Sequence, residues 1–186
     1  MPPQLPYLDL TEEAPLAITA APRTIPSRQN ISPRPHQASA LQNVMMRTHN
    51  QARARIGAPD LAWDTELAKD AALYAGSLAR SGRFAHDPQR GRKERQGENL
   101  WMGTRNAYSH ADMVGFWVDE DRYFKRGRFP ANSTTGNWSD IGHYTQIIWP
   151  TTRRVGCAMV NNQSYDYLVC RYSPAGNVMG RDPLKG

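Results

Sequence analysis

Two short apolar segments near the C-terminal end constrain the fold more than any other feature of the sequence. Residues 155–160 and 166–172 alternate as β-strands do, and the stretch between them is polar. A hairpin turn centred on residues 163–164 places Cys157 directly opposite Cys170, within the Cα separation that a disulfide requires. Buried free thiols, common in cytosolic cores, are the alternative. The alternation also predicts one largely apolar face, formed by Val155, Cys157, Met159, Leu168, Cys170 and Tyr172.

Proline divides the chain into two parts. More than half of the 14 prolines lie in residues 1–37, spaced so that neither a helix nor a strand can run far. We therefore predict an extended Pro-rich arm at 1–37 and one domain at 38–186, long enough for a single packed core. Residues 1–30 show no basic start followed by an apolar block, so no signal peptide is expected in this sequence. Either the protein stays inside the cell, or the sequence is a processed or recombinant form.

Apolar positions spaced three and four residues apart predict three helices in the domain. The first ends at Gly57. The second has Asp64 as its N-cap and is closed by Gly82. The third opens at Ser109, which has capping-box spacing with Asp112. Its predicted apolar face consists of Met113, Phe116, Trp117 and Phe124.

The order of these elements predicts the fold class. Residues 83–108 and 125–141 are expected to form loops, the second because it is rich in Gly, Asn, Pro and Thr. Helices followed by a terminal hairpin indicate an α+β fold, with helices packed on a small antiparallel sheet.

Charge and hydropathy exclude some functional classes. The chain carries 23 basic and 17 acidic residues, a moderate net charge of +6. Its basic run at residues 90–95 has no interleaved aromatic side chains, so nucleic-acid binding is not expected. That run is either a solvated loop or a surface for anionic partners. No segment approaches the roughly 18 apolar residues that a membrane-spanning helix needs.

Four polar side chains are the candidates for chemistry. Glu120 follows Trp117 by three residues, on the predicted apolar stripe, where a carboxylate is costly unless paired, protonated or beside a metal. The alternative is a helix-edge side chain that reaches solvent or an arginine. His86, Glu98 and His143 lie in or beside turns marked by Gly or Pro. Spacing alone assigns neither histidine to a metal, because HExxH and CxxC motifs are absent, so surface and structural roles stay open.

Four short motifs follow one another in a characteristic order: HNxxR at 49–53, GENL at 97–100, GHYTQIIW at 142–149 and CRYSPAGN at 170–177. Over about residues 40–183 the chain resembles the CAP superfamily, which comprises cysteine-rich secretory proteins, antigen 5 and pathogenesis-related 1 proteins and is also called the SCP domain. A single cysteine pair without further cysteine-rich modules favours a bacterial exported member.

The resemblance implies a three-layer α-β-α sandwich, with the small antiparallel sheet between helices, and a cleft where two histidines and two glutamates converge. Carried over residue by residue, these are His86, Glu98, Glu120 and His143. The two histidines are then the metal ligands, while the glutamates orient an imidazole N–H group or a bound water. Neutral imidazoles suit zinc or another divalent ion.

The resemblance also implies a function. We expect a secreted or periplasmic protein, a monomer or weak dimer, whose cleft receives a small ligand, a lipid or sterol, or a loop of a protein partner. The alternative is a metal-assisted hydrolase in which Glu98 or Glu120 activates a zinc-bound water. No serine or cysteine nucleophile stands in a recognisable motif, so whether the chain is an enzyme stays open at this point.

Overall fold

Four α-helices and four β-strands are present in the computed structural model, which describes residues 35–185. In chain order they are α1 (Pro35–Ala54), β1 (Ala62–Trp63), α2 (Thr65–Ser81), β2 (Gly97–Thr104), α3 (His110–Val118), α4 (Gly142–Ile148), β3 (Arg154–Asn161) and β4 (Tyr165–Ser173). Two 3-10 segments, Asp119–Tyr123 and Trp138–Asp140, precede α4. The predicted arm at 1–37 lies outside the described residues except where α1 begins at Pro35, so it stays a prediction.

The sheet has the strand order β1-β3-β4-β2. Strands β3 and β4 form the predicted hairpin, and β2 pairs antiparallel with the other edge of β4. The two-residue β1 adds a parallel pair with β3. Within the hairpin Cys157 pairs with Cys170 and the two are joined by a disulfide, which confirms the predicted bridge and rejects the free thiols.

Helices cover the sheet on both faces, which confirms the three-layer sandwich. One face packs against α1, α3 and α4, and its buried side chains include Met45, Met113, Trp117, Ile147, Val155, Leu168 and Tyr172. The other face packs against α2 through Ala71, Ala75, Leu78, Tyr167 and Val169. Helix α2 lies so close to β3 that a Cβ added at Gly156 would stand 2.2 Å from the Ala68 nitrogen. Only glycine therefore fits at that point.

The predicted helix caps are confirmed. The Asp64 side chain accepts the N–H groups of Glu66 and Leu67 at the start of α2, and Gly82 ends the helix in the left-handed region with φ of 68°. Ser109 and Asp112 form the reciprocal capping box of α3. Local side-chain chemistry therefore sets these three helix ends.

Three sequence-based expectations are wrong in part. Residues 83–108 are not all loop, because Gly97–Thr104 forms β2. This segment contains two glycines and an asparagine, which disfavour strands. It forms a strand because it pairs along its whole length with β4. Glu120 is not on the third helix, since α3 ends at Val118 and a 3-10 turn follows. Phe116 is 40% exposed and meets Tyr108 edge-on instead of joining the core.

The HNxxR motif is structural. Arg53 is fully buried, and its guanidinium donates to the carbonyl oxygens of Ile147, Trp149 and Thr152 at 2.8–3.1 Å, which fastens α1 to the end of α4. Burial lowers the pKa of Arg53 to about 10. His49 is buried between Met45 and Tyr172 and hydrogen-bonds to both; burial lowers its pKa to about 4.

Candidate functional site

The GENL, GHYTQIIW and CRYSPAGN motifs meet at the side chain of Gln146 in α4. The N–H of Gly176 donates to Gln146 Oε1 at 3.0 Å. A Cβ added at Gly97 would lie 2.1 Å from that same oxygen, and one at Gly176 would lie 2.7 Å from Gln146 Nε2. The close contacts that these two glycines permit hold α4, and therefore His143 in its first turn, against the start of β2.

His143 and Glu120 form the first pair of candidate residues. His143 Nδ1 lies 2.5 Å from Glu120 Oε1, while Glu120 Oε2 accepts the backbone N–H groups of His143 and Tyr144 at 2.9 and 3.0 Å. Trp117 stacks on the imidazole, with ring centroids 5.7 Å apart and planes 15° apart. Of the alternatives left open for Glu120, the structure shows a paired carboxylate, and the His143 side chain remains 30% exposed.

His86 and Glu98 form the second pair. His86 Nδ1 lies 2.6 Å from Glu98 Oε1, which also accepts the backbone N–H of Asp87 at 3.1 Å. The second oxygen of Glu98 lies 2.9 Å from Arg171 Nη2, an ion pair without the alignment of a hydrogen bond. The Glu98 side chain is 4% exposed and that of His86 is 65% exposed, so the carboxylate is buried beneath an accessible imidazole.

Arg171 supports the second pair and was not predicted to belong to the site. It is fully buried, donates to Asp87 Oδ2 at 2.6 Å and lies 5.1 Å from the centre of the Tyr74 ring. Burial by itself raises the pKa of Asp87, but the N–H of Gln89 and the Arg171 guanidinium outweigh it, so that pKa lies below its ordinary value. Burial, followed by the charges of Glu98 and Asp87, raises the pKa of Tyr74 to about 12.

One signal in the sequence could have found Arg171. In a strand that includes residues 166–172, Arg171 shares its face with Tyr167 and Val169, both of which pack against α2. A charge at such an inward position requires a partner. The register supplies it, because Glu98 on β2 lies directly opposite Arg171 on β4.

Strand β2 connects the two pairs. Glu98 belongs to one pair, and the side chain of the next residue, Asn99, donates to the His143 carbonyl oxygen at 3.1 Å. The carbonyl oxygen of Leu100, the residue after Asn99, accepts the indole N–H of Trp117 at 3.2 Å. The four candidate residues thus form two separate pairs on one support, and no hydrogen bond or ion pair joins one pair directly to the other.

The contacts define which imidazole nitrogen is available. In the neutral form, an Nδ1–H that donates to a carboxylate leaves Nε2 as the acceptor, the arrangement typical of metal-binding histidines. Both His86 and His143 have this arrangement, so their donor chemistry fits a divalent ion such as zinc. Within residues 35–185 no group of three or more His, Cys, Asp or Glu side chains is placed to hold a metal. A metal here would have two protein ligands and open positions.

A separate cavity of about 510 Å³ opens beside the start of α2. It is bordered by the start of α2, residues 94–96 and residues 173–175, with Asp64, Arg95 and Arg154 among its lining side chains. None of the four candidate residues lines it. The candidate site is therefore defined by the His/Glu geometry and not by this cavity.

Comparison with known proteins agrees with this fold. The sequence pattern of the cysteine-rich secretory protein (CAP) family matches residues 46–172. Pathogenesis-related protein 1C of Nicotiana tabacum is 37% identical over 136 residues, which cover 73% of this chain and 76% of that protein. A secreted protein of Candida albicans is 35% identical over 141 residues, covering 74% of this chain and 36% of that protein.

A solved structure extends the likeness to three dimensions. The crystal structure of NaASP2 with Zn²⁺ matches with a TM-score of 0.62 and 25% identity, covering 77% of this chain and 84% of that one. No helix within residues 35–185 is long and apolar enough to span a bilayer. With the family pattern covering more than half of its length and the α-β-α sandwich in place, this chain belongs to the CAP family of cysteine-rich secretory proteins.

Proposed function

We propose that this protein is an exported CAP-domain binding protein in which His86 and His143 hold a divalent metal ion, zinc in the first place. One observation carries the proposal: each imidazole turns Nδ1 towards a buried or half-buried carboxylate and leaves Nε2 for a ligand. When bound, the ion would supply a Lewis acid to which an oxygen of a small ligand, a lipid head group or a partner loop can coordinate.

Two further facts support a metal of this kind. A related solved structure is described as containing Zn²⁺. Two histidine ligands also leave open coordination positions, and such a site binds metal more weakly than a closed four-ligand structural site. The fold is therefore expected to survive removal of the metal by a chelator.

The same contacts favour binding over metal-assisted hydrolysis. A general base must have an oxygen free to accept a proton from water. Both oxygens of Glu120 are engaged, by the His143 ring and by two backbone N–H groups. Those of Glu98 face His86, the Asp87 N–H and Arg171. Each carboxylate thus orients an imidazole and is poorly placed to activate a water.

Export is supported by the disulfide, because such bonds persist in oxidising compartments and are rare in the cytosol. Export from a bacterial cell, to the periplasm or the medium, is consistent with the single bridge and remains part of the proposal. A lipid or sterol, a small ligand and a partner loop are the candidate occupants of the metal's open positions.

Zinc titration by calorimetry at neutral pH tests the proposal. The wild-type protein is expected to bind about one zinc ion saturably. His86→Ala and His143→Ala are each expected to abolish this binding while the circular dichroism spectrum stays that of the folded protein. Acidification is expected to weaken the affinity, because a protonated imidazole cannot ligate.

A matched control separates this site from incidental histidine binding. His110 stands at the start of α3 and belongs to neither pair, so His110→Ala should bind zinc like the wild type. Absence of saturable binding in the wild type, or unchanged binding in the doubly substituted His86→Ala/His143→Ala protein, would show the proposal to be wrong. The two pairs would then be polar anchors for the loops that precede β2 and α4.

A further inference from the structure

We propose that a second surface of the protein docks onto an anionic lipid bilayer. We call it the Trp138 patch, and it consists of Lys125, Arg126, Arg128, Trp138, Val178, Met179 and Arg181. The proposal does not depend on metal binding, because none of these residues contacts His86, His143 or their glutamates through a hydrogen bond or an ion pair.

The apolar part of the patch is unusually exposed. Six large apolar side chains are exposed in the described residues, and three of them belong to the patch: Met179 at 69%, Trp138 at 50% and Val178 at 45%. The others, on α2, α3 and β4, lie on separate elements. Trp138 is the exposed side chain best suited to a bilayer, since its amphipathic ring prefers the head-group region.

Backbone contacts bring the two segments of the patch together. The N–H of Phe129 donates to the carbonyl oxygen of Arg181, and the N–H of Gly180 donates to that of Phe129, both at 2.8 Å. Phe129 is buried and meets the Trp138 ring edge-on at 5.6 Å. Arg128 Nη1 also donates to the Gly180 carbonyl oxygen at 3.4 Å. The loop that carries the arginines, the indole and the turn that carries Met179 therefore form one continuous region.

Positive charge predominates in this region, which Asp140 and Asp182 border. Residues 125–138 and 175–181 contain no Asp or Glu. Their four cationic side chains, those of Lys125, Arg126, Arg128 and Arg181, are exposed. None of the four forms an ion pair within the part of the chain that the structure describes. The basic run at 90–95 differs, because its Arg92 is neutralised by Asp70 at 2.7 Å.

Anionic lipid is the partner that satisfies both features together. Unpaired cations attract the negatively charged head groups, and exposed Trp, Val and Met side chains gain by entering the boundary with the acyl chains. A purely anionic partner would leave the apolar side chains without a role, and a neutral apolar partner would leave the cations unused. The Trp138 ring also packs over Gly142, the residue before His143, so a docked bilayer would lie beside the first pair.

Co-sedimentation of the full chain with lipid vesicles tests this inference. We expect binding to vesicles of 70% phosphatidylcholine and 30% phosphatidylserine, weak binding to pure phosphatidylcholine, and loss of binding at high salt. Arg126→Ser/Arg128→Ser and Trp138→Ser/Met179→Ser should each lower the partition coefficient about tenfold or more. Trp138 contacts Phe129 and Arg128 donates to Gly180, so circular dichroism must first show that each double variant is folded. The single changes Arg126→Ser and Met179→Ser alter exposed side chains, and they should keep the wild-type melting temperature and still weaken binding.

Two matched controls test whether binding depends on the Trp138 patch or only on the overall charge and exposed apolar surface of the protein. Arg90→Ser/Arg95→Ser removes the same charge from the other basic run, and Leu73→Ser removes an exposed apolar side chain on α2, across the sheet from α4. Both should bind vesicles like the wild type. Equal loss in the control and patch variants, equal binding to neutral vesicles, or tighter binding to duplex DNA than to anionic vesicles would each overturn the inference.

Discussion

The two His/Glu pairs use the same atoms but are held in place differently. Glu120 is fixed by neutral backbone N–H groups from the first turn of α4, and Trp117 covers the imidazole of His143. Glu98 accepts one backbone N–H, that of Asp87, and its other oxygen faces the guanidinium of Arg171, which comes from a distant strand and also binds Asp87. The first arrangement is local; the second depends on the alignment of β2 with β4.

Because of this difference, the two pairs should differ in their sensitivity to substitution of neighbouring side chains. A carboxylate held by backbone groups keeps its partners when any neighbouring side chain changes, because the N–H groups remain. A carboxylate oxygen that faces one buried arginine loses its only charged partner through one substitution. Arg171 Nε and Nη1 also have no hydrogen-bond partner within the described residues, so the charged arrangement is incompletely satisfied.

Removal of Arg171 is the strongest test of this comparison. Arg171→Met should lower the free energy of unfolding by about 3–5 kcal/mol, since it leaves the partly buried Asp87 and Glu98 without their cation. Denaturant unfolding measures this loss. The pair of the exposed Arg154 with Asp64 supplies the control, and Arg154→Met should cost less than about 1 kcal/mol. Equal losses in the two variants would contradict a special role for Arg171.

NMR spectra of the same variant sharpen the comparison. If the guanidinium positions Glu98, then Arg171→Met should shift the ring signals of His86 and leave those of His143 in place. Shifts of similar size at both rings would mean that the two pairs are not independently supported.

The pH dependence of the free energy of unfolding provides a second test. His49 serves as the reference because, unlike His86 and His143, it is not paired with a carboxylate. Its pKa is lowered from 6.5 to about 4 in the folded state, so the unfolded chain binds the proton more readily. Stability should therefore fall as the pH drops from 6.5 towards 4, with His49 contributing up to about 3 kcal/mol of the loss. His49→Gln should flatten this part of the stability curve. A curve of unchanged slope in the variant would show that His49 is not responsible.

The smallest expected effect concerns the pair held by the backbone. Glu120→Gln keeps an oxygen for the N–H groups of α4 but presents an amide to the imidazole, so it should cost about 1 kcal/mol of stability. Denaturant unfolding and the His143 ring signals measure the change, and Glu66→Gln on the surface of α2 serves as a control with no resolvable loss. A loss as large as that of Arg171→Met would contradict the ranking of the two supports.

The sequence predicted those features that depend on local chemistry. Asp64, Gly82 and Ser109 set helix ends through groups within four residues, and the hairpin register follows from a period of two. Strand β2 escaped prediction because its glycines and asparagine disfavour strands and only pairing with β4 forms it. Helix α4 was missed because its side chains are buried on nearly all sides, which leaves no polar face to reveal a helical period.

The site was predicted unevenly for the same reason. The expected convergence of the four His and Glu residues came from the family resemblance, and the structure groups them as two pairs. Arg171 requires the partner strand to be known, since its ion pairs span more than 70 residues of sequence. Whether the two histidines share one metal ion stays a prediction that the zinc titration will decide.

The disulfide also restricts the register in which the β3–β4 hairpin can be oxidised. Cys157 and Cys170 face each other in only one register of the hairpin, and a slip by a single residue would turn one sulfur to the opposite face of the sheet. The disulfide can therefore form only when β3 and β4 pair in the native register. Because Arg171 follows Cys170 on β4, the bridge also fixes the position of Arg171 relative to β3, while the separate pairing of β2 with β4 places Glu98 opposite it. The bridge therefore secures the register of the strand that carries Arg171, although neither sulfur atom belongs to the site.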